Sequence, residues 1–81
     1  MIDQYEIKKL MKPFACTVVN HDADEFVNDP FWIISVEVGD IFKYQFQVFQ
    51  NVSPQTLYKH KKKLIDSLIY ELHKMNKAII L

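Results

Sequence analysis

Eighty-one residues fit one domain, residues 1–81, able to bury about 60–65 % of its unfolded surface. Six Phe, four Tyr and one Trp supply a core and argue against disorder, while the lone Cys16 excludes an intramolecular disulfide or a multi-cysteine zinc site. Formal net charge is zero, yet residues 1–50 carry four Lys against eight carboxylates and residues 51–81 six Lys against two.

Ile7, Leu10 and Met11 recur at helical spacing, and Pro13 stops the segment, so a short helix is predicted over 2–11. Lys12, preceding a proline, is pushed toward extended geometry. From Phe14 to Asn20 the chain alternates, with Phe14, Cys16 and Val18 on the inward side, and predicts a strand. Residues 20–30 hold Asp22, Asp24, Glu25 and Asp29 and read as a polar, mobile loop. Pro30 opens a strong strand, Phe31 to Val38, and Gly39-Asp40 interrupts before another, Phe42 to Gln50.

The register of this hairpin follows from two patterns. A two-residue turn would mix lysine and glutamine into the face of Ile34 and Val36. One more loop residue sets Val38 against Phe42, Val36 against Tyr44, Ile34 against Phe46 and Trp32 against Val48. It also sets Glu37 opposite Lys43 on the other face. A one-residue slip would destroy both sets, so the odd-length loop is predicted.

Ser53 is placed to cap the last helix and Pro54 to occupy its first position. At 100° per residue, Leu57, Leu64, Leu68, Leu72, Met75 and Ile79 form one stripe, expected to lie across the sheet. The order is α-β-β-β-α, an α+β fold with a three-stranded antiparallel sheet and a long C-terminal helix on one face.

Lys59, Lys62, Lys63, Lys74 and Lys77 lie opposite the leucine stripe, along about 25 Å of helix. Lys61 projects into the apolar side, either snorkelling past the sheet edge or facing a partner. Four lysines near a helix N-terminus oppose its dipole, which hints at a use such as binding phosphate. The element order, with Lys61-Lys62-Lys63 early in the last helix, resembles the double-stranded-RNA-binding fold. That resemblance implies shape-based duplex binding. The family's glycine- and alanine-rich last helix, and its basic loop ahead of that helix, are absent from this chain.

The acidic residues Asp22, Asp24, Glu25 and Asp29 suggest a negative lobe that docks on a basic partner or on the basic helix of a second copy. Asp22-Ala23-Asp24 lacks the glycine and glutamate of a calcium loop, and no metal or cofactor is expected. Phe31, Ile33 and Phe49 point away from the predicted core. Unless the first helix covers them, they form an interface patch with Val19 and the C-terminal Ile80-Leu81, and a homodimer is the simplest consequence.

His21, His60 and His73 share no ligand spacing and read as surface residues. Cys16 reads as core. No carboxylate pair or glycine-rich loop suggests catalysis, so the protein is expected not to be an enzyme, with a small nuclease acting through His60 or His73 as a distant third reading. The first twelve residues carry Asp3, Glu6, Lys8, Lys9 and Lys12, and no run approaches the ~20 apolar residues of a membrane span. A cytoplasmic protein is expected. Having no arginine but much Lys, Ile, Asn and Phe, the chain suggests an AT-rich genome, such as that of a low-GC Gram-positive bacterium or its phage, and a phage or mobile-element origin fits that composition. The expected function is regulation or inhibition by binding another protein, with non-sequence-specific nucleic-acid binding as the alternative.

Overall fold

The computed structural model describes residues 1–80, with side chains described through residue 75. Its elements are α1 (Gln4–Leu10), β1 (Cys16–His21), β2 (Phe31–Val38), β3 (Phe42–Phe49) and α2 (Pro54–Ile80). The three strands form one antiparallel sheet in the order β1-β2-β3. The predicted α-β-β-β-α order stands, with helix and strand ends shifted by one or two residues.

Helix α1 starts where Asp3 accepts the amide of Glu6 through Oδ1 at 2.8 Å, an N-cap the sequence reading passed over. Burial of Ile7 and Met11 holds it to the core. The hairpin between β2 and β3 has the predicted register, Val38 against Phe42 through Trp32 against Val48. Gly39 sits at φ 55 in the connecting loop, a left-handed conformation that favours glycine. On the outer face Lys43 approaches Glu37 at 3.7 Å. Both side chains are largely exposed, so this pair contributes little to stability.

Helix α2 begins as predicted. Thr56 donates its amide to the Ser53 carbonyl at 3.1 Å and lies 3.4 Å from Ser53 Oγ. Leu57 and Leu64 are fully buried against Ile34, Val36, Phe46 and the rest of one core cluster. Ile2, Ile7 and Met11 belong to that same cluster. Both helices therefore cover one face of the sheet, and the other face has no helix on it.

The leucine stripe was expected to lie across the sheet along its whole length, and here the structure corrects the sequence. Leu68 is half-buried, while Leu72 and Met75 are 42 % and 38 % exposed; the side chain of Ile79 lies outside the described residues. The cause is length. Eight-residue strands reach about 26 Å, whereas the 27 residues of α2 reach about 40 Å. The helix overshoots the hairpin, and the molecule's longest dimension is 51 Å.

Candidate interaction surfaces

The strand register decides which side chains the uncovered face presents. His21, Phe31 and Phe49 stand in one row across β1, β2 and β3, and Val19, Ile33 and Gln47 in the next. Thr17, Ser35 and Gln45 make the third row. One end of this face is thus aromatic and apolar, and the other is polar. Helix α1 packs on the opposite side, so Phe31, Ile33 and Phe49 are left without a helical cover. Phe49 is 57 % and Val19 49 % exposed, while Phe31 and Ile33 are half-buried by their neighbours. The side chains of Ile80 and Leu81, expected in the same patch, lie outside the described residues. The His21 ring stacks on Phe31 with centroids 4.4 Å apart, and its Nδ1 lies 3.0 Å from the Asp22 carbonyl.

The acidic loop borders the aromatic end. It was expected to be a mobile lobe, but two of its four carboxylates hold it in shape. Asp24 Oδ1 accepts the amides of Phe26 and Val27, each at 2.8 Å, and the Val27 carbonyl accepts the Asp24 amide at 2.8 Å. These amide bonds, Phe26 first, hold the Asp24 carboxyl below its ordinary range. Asp22 accepts from Asn20 Nδ2 at 2.7 Å, and Asn20 in turn accepts from Gln50 Nε2. Glu25 and Asp29 are exposed and have no side-chain partner among the described residues.

Beside this loop, Val27, Phe31, Gln47, Val48 and Phe49 line a hollow of about 400 Å³. Sequence reasoning missed Val27, His21 and the 86 % exposed Phe26. An apolar Phe26-Val27 pair inside an acidic loop was the available signal.

The basic surface divides. Lys59, Lys62, Lys63 and Lys74 are exposed along α2, and the only ion pair among the described residues is Glu37–Lys43. The side chain of Lys77 lies outside the described residues. Lys61, expected either to snorkel past the sheet edge or to face a partner, turns its ammonium toward α1 instead. Its ammonium donates to the carbonyl of Leu10 at 3.0 Å and to that of Lys12. These carbonyls lie at the C-terminal end of α1, where backbone acceptors lack helical donors. Lys61 therefore binds the two helices together.

His60 is also less superficial than expected. It stacks on Phe46 with centroids 4.5 Å apart and planes at 8°. Burial, then the nearby Lys63 charge, lowers its pKa from the ordinary value. A base whose folded pKa is depressed is neutral in both states above its unfolded pKa of about 6.5. Below that pH the unfolded chain binds the proton more readily, so stability falls until the folded pKa is passed. Thermal unfolding between about pH 7.5 and pH 5.5 should show this loss in the native chain, and His60→Phe should reduce it.

Cys16 is half-buried, and desolvation raises its thiol pKa against the opposing effect of Lys8. A raised pKa disfavours the thiolate a nucleophile needs. Among the described residues, no three His, Cys, Asp or Glu side chains gather as a metal would require. No helix among them is long and apolar enough to cross a membrane. No family model, curated protein or solved structure matches this chain.

Proposed function

We propose that this chain is a small non-enzymatic binding module, regulatory or inhibitory in effect, that recognises another protein through its uncovered sheet face. The observation that carries this reading is the uncovered aromatic row of half-buried Phe31 and exposed Phe49, with Val19 and Ile33 behind it. A sheet usually buries its apolar face against another layer. Exposed apolar surface carrying aromatic rings beside polar groups is a common composition of a protein interface. A second copy of the chain is one partner such a face can take.

The test is site-specific photo-crosslinking in the cell of origin. A crosslinker in place of Phe49 should yield a discrete protein adduct, and one in place of Lys62 should not. Adducts only from position 62 would contradict the reading.

Nucleic-acid binding is kept as the second reading because Lys59, Lys62, Lys63 and Lys74 are exposed and carry no ion pair among the described residues. The balance of charge over the chain opposes it, since ten Lys are matched by ten carboxylates and a strong net positive field is absent. Mobility-shift titrations with duplex RNA, duplex DNA and single strands should show no binding at ~50 mM salt. Low-micromolar binding that collapses near ~200 mM, and that Lys62→Glu with Lys63→Glu abolishes, would favour this reading instead.

A further inference from the structure

We infer that the hollow between the acidic loop and the aromatic row takes an arginine side chain from a basic segment of a protein partner. This inference rests on the protein-binding reading and specifies the chemistry that the sheet face selects. The hollow has a mostly apolar lining, to which Phe31, Phe49 and Val27 contribute. Its volume of about 400 Å³ gives room for one long side chain laid along an open groove. Such a lining suits the methylene stem of a long cationic side chain and the stacking of a planar guanidinium on a phenyl face.

Charge decides the occupant. No Lys or Arg occurs between Lys12 and Lys43, while the loop beside the hollow carries Asp22, Asp24, Glu25 and Asp29. Asp24 has an oxygen committed to the amides that fix Val27 as one wall. Asp22 is engaged by Asn20. Glu25 and Asp29, two residues either side of Val27, are left as exposed carboxylates without side-chain partners among the described residues. The Gln47 amide adds a neutral acceptor to the lining. An acidic segment would be repelled by these carboxylates, and a purely aliphatic one would gain no attraction from them. Arginine fits better than lysine because its weakly hydrated, planar head can stack and bind a carboxylate together.

The probe is a peptide of alternating arginine and glycine, titrated into isotope-labelled protein at ~50 mM salt and followed by amide chemical shifts. Lysine–glycine and glutamate–glycine peptides serve as comparisons. The arginine peptide should shift Phe26, Val27, Phe31, Gln47 and Phe49 and bind more tightly than the lysine peptide. Phe49→Ser should weaken it about threefold to tenfold, and Glu25→Gln with Asp29→Asn by a similar factor, without moving the thermal midpoint. Shifts spread evenly to Asp3, Glu37 and Asp40, indifferent to Phe49→Ser, would overturn the inference as bulk charge attraction. Tighter binding of the glutamate peptide would overturn it too, as would self-association that occupies the hollow. Failure of the arginine peptide with the position-49 crosslink intact would remove this occupant alone. Loss of the crosslink as well would remove the protein-binding reading.

Discussion

Leu64→Ala is expected to destabilise the fold by about 2–5 kcal/mol, the range for emptying a well-packed core site. Leu64 has no solvent exposure, and with Leu57 it forms the buried contact of α2 on the sheet. The two lie two turns apart. Downstream the stripe leaves the sheet, so little remains to compensate for either. A domain of this size has about 4–12 kcal/mol of total stability, which makes the substitution close to unfolding. Urea denaturation should show a much lower midpoint with an unchanged slope, because the surface exposed on unfolding is nearly the same. Leu72→Ala is the control. At 42 % exposure and beyond the end of the sheet, it should cost less than about 1 kcal/mol. Equal losses at both positions would mean that the outer half of α2 is covered.

Lys61→Met is expected to cost about 1–3 kcal/mol, whereas Lys62→Met should change stability by no more than about 0.5 kcal/mol. Methionine keeps most of the stem and removes the ammonium, so the comparison isolates the polar contacts. In the native chain Lys61 donates to the Leu10 and Lys12 carbonyls, closing the end of α1 against α2. Without that donor, carbonyls in a partly covered position lose a charged partner, and such bonds are stronger than neutral ones. The loss should appear in thermal unfolding as a drop of about 4–8 °C per kcal/mol. Adjacent lysines with such different effects would separate a structural cation from solvated ones.

The β2–β3 hairpin was legible because two side-chain patterns, apolar on one face and charge-paired on the other, agreed on one register. Ser53-Pro54 was legible because its effects are local. Lys61 was half-legible. Its position in the apolar stripe signalled something unusual, but naming its partner required the placement of α1, about fifty residues earlier in sequence. With only Ile7, Leu10 and Met11 as apolar markers, α1 gives no local indication of which sheet face it covers. That choice determines whether Phe31, Ile33 and Phe49 are core or surface.

The overshoot of α2 followed from rise per residue alone, and the stripe pattern obscured it. Periodicity tells which side of a helix is apolar without telling how far the sheet beneath it extends. The acidic loop was read from composition as a solvated lobe. Its order comes from Asp24 capping amides two and three residues ahead, a short-range habit of aspartate in turns. Of the surface now proposed to act, the Phe31–Phe49 pairing was readable, whereas the hollow needed Val27 brought against it.

A binding surface on the outer sheet face requires that no layer of this chain lie over it. Adding a soluble paramagnetic probe and measuring side-chain NMR relaxation tests that directly. Val19, Ile33 and Phe49 should relax much faster with the probe, while Ile34, Trp32 and Val48 should scarcely respond. Comparable protection of both sets would show the face to be covered and would contradict the assignment of a binding surface there.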